Sequence, residues 1–134
     1  MPNVIEIEGI GEVYAEKLKA AGVTTVEGLL EAGATRKGRE TLADSSGITG
    51  TLILKWVNHA DLFRIKGVQK QYAELLEAAG VDSVPELSHR DPANLSKKLA
   101  EVNEAKHLVR QVPSETSVAQ WVAEAKTLPR VVTH

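Results

Sequence analysis

The chain has no cysteine among its 134 residues. This absence excludes disulfide bonds, thiolate metal ligands and cysteine nucleophiles, and it fits a reducing compartment. Aromatic residues are also scarce, at 4%, and include two tryptophans. We expect Trp56 and Trp121 to pack in the core, because large aromatic side chains are usually well buried.

Long apolar runs and a strong net charge are missing as well. No stretch approaches the length of a transmembrane helix, and the first residues lack the basic and apolar segments of a signal peptide. We therefore expect a cytoplasmic protein without membrane contact. The formal net charge is -2, from 16 Lys and Arg against 18 Asp and Glu, so any site for a polyanion has to be local.

Signatures of catalysis are absent from the sequence. There is no phosphate-binding P-loop, no H-E-x-x-H motif and no nucleophile elbow. The four histidines lie far apart, without the spacing of metal ligands. We expect a protein that is not an enzyme and that has no catalytic residues, no metal, no cofactor and no small-molecule substrate.

The chain does contain an internal repeat. Residues 5–29 and 63–87 align without a gap at an offset of 58 positions, 63 minus 5. The run Ala20-Ala21-Gly22-Val23, for example, matches Ala78-Ala79-Gly80-Val81. Glycines, small residues and apolar positions stay in register, which indicates one supersecondary unit used twice. We call these segments repeat one and repeat two.

Apolar spacing and capping residues predict helices throughout the chain. Tyr14, Leu18 and Ala21 share one face of a helix over Glu12–Ala21, and Gly22 follows as a left-handed cap. Capping boxes are predicted at Thr24 with Glu27 and at Ser83 with Glu86, and further caps at Thr35, Asp91 and Ser114. Later helices are predicted over 93–102, over 103–111 and on the face of Val118, Trp121, Val122 and Ala125. No alternating run indicates a strand.

One motif in repeat one suggests a ligand. Residues 7–11 (I-E-G-I-G), followed by Ala15 and Leu18, can form a tight turn in which glycines adopt positive φ and expose backbone N–H groups. The helix starting at Glu12 directs the positive end of its dipole to the same place, so this turn can hold a phosphate oxygen.

These residues resemble the helix-hairpin-helix family. The following run, residues 20–30 (A-A-G-V-T-T-V-E-G-L-L), resembles the variant in the C-terminal domain of the bacterial RNA polymerase alpha subunit and the N-terminal domain of RecA-like recombinases. Nearly all of residues 4–128 is similar to a bacterial family of tandem helix-hairpin-helix proteins labelled as a domain of unknown function. Contact with DNA follows from the resemblance by analogy.

The resemblance implies an all-α fold in which two tandem helix-hairpin-helix repeats pack into one compact domain. The first half is expected at residues 1–62 and the second at residues 63–128. Residues 129–134 are expected to form a flexible tail.

Charge separates the two turns. Carboxylates surround the first turn and repel phosphate; they are Glu6, Glu8 and Glu12. The second turn has cations but carries Gln69 where the first has Gly11, and a side chain tolerates positive φ poorly. Candidate nucleic-acid contacts are Arg64, Lys66, Gly67, Val68 and Lys70, with Gly9, Ile10 and Gly11 as their counterparts. Alternatively, the glycines are required only by the tight turn of the fold and bind no ligand.

A second cationic spot follows Thr35. Arg36, Lys37 and Arg39 lie in the first turns of the predicted helix, where the macrodipole disfavours positive charge. They either bind an anion or form an ordinary solvated surface.

Two functions remain open from the sequence. The first is a module that binds the backbone of DNA or RNA without reading its sequence. The alternative is a protein interaction or assembly module whose turns are structural and whose working surface is an apolar patch or the acidic face around Glu6, Glu8 and Glu12. The oligomeric state is open in both.

Overall fold

The computed structural model describes residues 2–134, and all regular structure within them is helical. A short 3-10 helix, Val4–Glu6, precedes the α-helices. These are α1 (Glu12–Ala20), α2 (Val26–Ala32), α3 (Arg36–Ser46), α4 (Gly50–Leu62), α5 (Lys70–Ala78), α6 (Val84–Ser88), α7 (Pro92–Lys106) and α8 (Glu115–Ala125). An isolated bridge joins Asn3 and Thr25, and residues 2–134 contain no strand. The all-α prediction is confirmed.

The chain divides into two compact units. The first consists of the chain through Asp61 together with Val131–His134, and the second is Leu62–Arg130. In the second unit, the apolar faces of α5 to α8 bury a shared core that includes Leu76, Leu99 and Val122. Repeat one therefore lies in the first unit and repeat two in the second.

The last residues differ from the flexible tail that we expected. Val132 is only 3% exposed, and the N–H of Thr133 donates to the carbonyl oxygen of Ala34 at 2.8 Å. The carbonyl oxygen of Thr133 accepts a bond of 2.8 Å from the Arg39 guanidinium. Residues 131–134 are thus part of the first unit, held by partners that are distant in sequence.

Most predicted helix caps are confirmed: the side chains of Thr35, Ser83, Asp91 and Ser114 accept backbone N–H groups. The cap predicted at Thr24 is wrong. Thr25 caps α2, because its Oγ1 accepts the N–H of Gly28 at 2.9 Å. Adding the offset of 58 to Thr25 gives Ser83, so the register of the repeat identifies this cap better than the spacing to an acidic residue does.

The helix predicted over residues 103–111 is also wrong. α7 continues to Lys106 and ends at His107, whose φ is +52°, and residues 107–114 are irregular. The side chain of Asn103 bonds both backbone groups of Val109, accepting its N–H at 2.9 Å and donating to its carbonyl oxygen at 3.1 Å. This asparagine satisfies the chain after α7 instead of starting a new helix.

Candidate nucleic-acid interface

The two glycine turns have the same backbone geometry. We call residues 7–11 the first turn and residues 65–69 the second turn. Gly9 has a φ of +95° and Gly67 one of +89°. In each turn the residue after this glycine donates its N–H to the carbonyl oxygen three residues earlier, at 3.2 Å in the first turn and 3.1 Å in the second. Glycine is required at these two positions because L side chains rarely adopt such a φ.

Each turn lies against a tryptophan. A Cβ added to Gly9 would lie 3.4 Å from Nε1 of Trp56, and one added to Gly67 would lie 3.4 Å from Nε1 of Trp121. In both repeats a tyrosine of the following helix packs on that tryptophan, with ring centroids 5.0 Å apart in repeat one and 5.4 Å apart in repeat two. The expected core role of both tryptophans is confirmed, since they are 1% and 6% exposed.

The second glycine of the motif does not need to be glycine. Gly11 has a φ of -91° and Gln69 one of -131°, both in the extended region that any residue adopts. A Cβ on Gly11 would also meet no atom within 4 Å. Our expectation of positive φ at this position is wrong, and Gln69 introduces no backbone strain into the second turn.

The helices that follow the turns begin without a side-chain cap. Neither Gly11 before α1 nor Gln69 before α5 accepts a backbone N–H with its side chain. In contrast, α2, α3, α6, α7 and α8 each begin at a threonine, serine or aspartate that does so. The first N–H groups of α1 and α5 therefore receive no bond from an N-cap side chain, at the positive end of the helix dipole.

Two of the predicted backbone donors are used inside the turns. The N–H of Val68 bonds the carbonyl oxygen of Ile65, and the N–H of Ile10 bonds that of Ile7. Val68 and Ile10 are also buried, at 0% and 3% exposure. Their role is to hold the turn and its apolar anchor, so they are not donors to a ligand.

Charge is reversed between the two turns at three equivalent positions. Three acidic residues in and around the first turn each have a basic residue 58 positions later: Glu6 and Arg64, Glu8 and Lys66, Glu12 and Lys70. The backbones match while the signs are opposite. Only the second turn therefore combines an uncapped helix start with cations.

The three cations of the second turn differ in their surroundings. Arg64 is half-buried, and its Nη2 donates to the carbonyl oxygen of Pro129 at 2.6 Å. Lys66 and Lys70 are exposed, and a depression of about 320 Å³ adjoins the start of α5. Its lining residues are Gly67, Gln69, Lys70, Gln71 and Tyr72. Arg64 ties the turn to a later segment, while the two lysines border open space.

An acidic residue that the sequence did not single out also reaches the second turn. Oε1 of Glu124, in α8, accepts the backbone N–H of Lys66 at 3.1 Å. Glu124 is one of 18 acidic residues and carries no local motif. Its position depends on tertiary packing, so no signal in the sequence alone could have identified it.

The three cations of the second cationic spot differ in burial. Arg39 is 7% exposed, and its guanidinium donates to the carbonyl oxygens of Gly33, Ala34 and Thr133. Burial, and then the charge of Arg36, lower the pKa of Arg39, although a guanidinium stays protonated in proteins. Arg39 is therefore a structural residue and does not present its charge to a ligand.

The other two cations of this spot are on the surface. Arg36 and Lys37 are exposed, and Nε of Arg36 lies 3.6 Å from Oε1 of Glu40 in an exposed pair one helical turn apart. Such a pair contributes little to stability. The structure does not bring these three cations together around one anion site.

None of the helices in residues 2–134 is long and apolar enough to cross a membrane.

Comparison with known proteins yields one family. No curated protein and no solved structure has significant similarity to the chain. A family model described as "Domain of unknown function (DUF4332)" matches residues 8–128. Since this match includes both turn glycines, Gly9 and Gly67, both tryptophans and most of the chain, the protein belongs to the DUF4332 family.

Proposed function

We propose that the protein is a tandem helix-hairpin-helix module whose second turn binds a nucleic-acid backbone without reading its sequence. The observation that carries the proposal is the pair of exposed lysines, Lys66 and Lys70, beside the uncapped start of α5. A helix N-terminus attracts phosphate through its free N–H groups and its dipole, and nearby lysines add net charge. The extended φ of Gln69 supports the proposal, because the turn keeps its shape without a second glycine.

The proposed contact with the nucleic-acid backbone is small and electrostatic. Arg64 donates to a backbone carbonyl oxygen, and Lys66 and Lys70 are the exposed cations at the second turn. Contact with about two phosphates predicts a slope of about -2 in a plot of log affinity against log salt concentration. The acidic residues of the first turn oppose phosphate binding there.

Charge reversal at the second turn tests the proposal. We would measure fluorescence polarisation of short duplex and single-stranded probes at low and moderate salt. Lys66→Glu combined with Lys70→Glu should abolish binding. The matched control is Lys97→Glu combined with Lys98→Glu, which changes the net charge equally at two exposed positions of α7. Absence of binding by the unmodified protein at low salt, or equal loss in both double variants, contradicts the proposal.

A second candidate function rests on exposed apolar side chains in repeat one. Ile5 is 41% exposed and Val13 is 69% exposed, and both neighbour acidic residues in sequence. A contiguous apolar patch with a polar rim is typical of a protein interaction surface, and this candidate function requires that Ile5 and Val13 contribute to one. Light scattering after size-exclusion chromatography tests the assembly form of this idea. A concentration-dependent dimer that is lost on Val13→Ser would favour it, and a monomer at all concentrations would contradict self-assembly.

A further inference from the structure

The second unit contains a cleft beside the second turn. Its volume is about 580 Å³, within the range of about 300–1,000 Å³ that accommodates small organic ligands. The lining residues are Lys66, Gly67, Tyr72, Gln111, Val112, Pro113, Ser114, Ser117, Gln120, Trp121 and Glu124.

One wall of the cleft is a segment that the first unit does not match in length. From the residue before one helix to the residue before the next there are 14 positions in the first unit, Thr35 to Thr49 (49 minus 35), and 23 in the second, Asp91 to Ser114 (114 minus 91). The longer connection includes residues 111–114, which line the cleft. The second unit therefore has additional chain next to its glycine turn that the first unit does not have.

This wall is held by side chains. Asn103 bonds the N–H and the carbonyl oxygen of Val109, at 2.9 Å and 3.1 Å. The hydroxyl of Tyr72 donates to the carbonyl oxygen of Gln111 at 3.3 Å. These bonds connect the wall to α5 and α7, so the cleft is preorganised for a ligand.

The chemistry of the cleft fits a planar heteroaromatic ring better than a phosphate. Trp121 and Tyr72 supply aromatic surface, and Gln111, Gln120 and Ser117 supply polar groups that can both donate and accept. Oε1 of Glu124 accepts the backbone N–H of Lys66, but a carboxylate has acceptor capacity for further donors. Its negative charge repels phosphate and favours N–H groups on the edge of a ring.

We propose that this cleft binds an unstacked nucleobase with an exocyclic amino group, from a single strand whose phosphate lies at the start of α5. This inference rests on the proposed function. Gly67 and Tyr72 line both the cleft and the depression at the start of α5, so a nucleotide with its phosphate in the depression has its base beside the cleft. Glu124 accepts the amino group of cytosine. Thymine offers only its N3–H on that edge, between two carbonyl oxygens that a carboxylate repels, so the site favours cytosine.

Duplex nucleic acid does not satisfy this site. Its bases are stacked and their pairing edges are occupied, whereas the bases of a single strand turn outward at little cost and stack on aromatic side chains. Single strands and duplexes can both contact the start of α5 through a phosphate. The cleft therefore adds affinity for single strands only.

The test compares oligo-dC, oligo-dT and a mixed-sequence duplex at one salt concentration. We expect oligo-dC to bind about 10-fold more tightly than oligo-dT, as a good contact to a base edge contributes about 1–3 kcal/mol. Ser117→Phe fills the cleft from α8 and should remove this difference while leaving duplex binding unchanged. Ala123→Phe, at an exposed position of the same helix that does not line the cleft, is the matched control.

Two further measurements make the result independent of any single variant. Glu124→Gln keeps an oxygen that accepts the Lys66 N–H and should reduce the preference for dC over dT. In NMR spectra, cytidine should shift the indole N–H signal of Trp121 and leave that of Trp56 in place. If all three probes bind equally and Ser117→Phe and Glu124→Gln have no effect, the base site is wrong and the phosphate contact survives. If no probe binds, the proposed binding of nucleic acid is wrong, and the base site that rests on it is wrong as well.

Discussion

The two glycine turns share a backbone and differ in charge. Gly9 and Gly67 have nearly the same positive φ and the same distance from a tryptophan. Around them, three acidic residues in one repeat correspond to three basic residues in the other. The turn therefore keeps its backbone and its contact with the tryptophan with charges of either sign around it. The first turn is a natural reference for the shape of the second without its cations.

The largest expected effect compares the tryptophans. Trp56→Ala should lower the free energy of unfolding by about 3–5 kcal/mol, because it removes a large buried side chain and leaves a cavity. Trp121→Ala should cost less, because Trp121 is more exposed and lines an open cleft. Chemical denaturation measures both. A larger loss for Trp121→Ala would show that burial does not determine the ranking.

A smaller effect is expected at a buried cation that only the first unit has. Arg39→Ala should lower the free energy of unfolding by about 2–3 kcal/mol, because carbonyl oxygens lose a charged donor. The residue at the corresponding position after the cap in the second unit is Leu95, four residues after Asp91 as Arg39 is after Thr35. Arg36→Ala is the control and should change stability by less than about 0.5 kcal/mol. Thermal unfolding of the two variants would decide, and equal losses would contradict the structural role of Arg39.

The glycines provide the next comparison. Gly9→Ala and Gly67→Ala should each lower the free energy of unfolding by about 1–2 kcal/mol, since both positions require positive φ. Gly11→Ala should be neutral or stabilise by up to about 1 kcal/mol, because its φ is ordinary and the space beside it is open. Urea midpoints of the three variants test this ranking. A strongly destabilising Gly11→Ala would mean that the second glycine has a structural role after all.

The smallest effect on stability is expected from exchanging the rim charges. Glu8→Lys combined with Glu12→Lys gives the first turn two cations of the second and should change the free energy of unfolding by no more than about 1 kcal/mol. Nucleic-acid affinity should rise, with a salt slope steeper by about 2. Polarisation titrations at several salt concentrations measure the slope. An unchanged slope would indicate that the shape of the turn and two lysines are insufficient.

Much of the fold could be predicted because its signals are local. Gly22 and Ser83 act through neighbours within a few residues, and the positive φ of Gly22 and the capping bond of Ser83 are as expected. Asn103 was misinterpreted because its side chain bonds a residue six positions later in an irregular segment. Local capping patterns do not distinguish such a bond from the start of a helix.

The candidate site was less predictable because its charges depend on distant partners. Arg64 and Arg39 looked equivalent to Lys66 in the sequence, yet both guanidinium groups donate to carbonyl oxygens more than 60 residues away. Glu124 reaches the second turn from α8. Burial of a cation depends on which chain segments fold over it, and that information is not contained in the motif.

The return of Val131–His134 to the first unit affects the order in which the protein is completed during translation. A ribosome synthesises Leu62–Arg130 before the segment that donates the Thr133 N–H to Ala34 and accepts from Arg39. Domains usually fold as units, the earlier one first, as they emerge. Here the unit that begins first gains the bonds of Thr133 only after Leu62–Arg130 has been synthesised, so until then Arg39 lacks one of its three carbonyl acceptors.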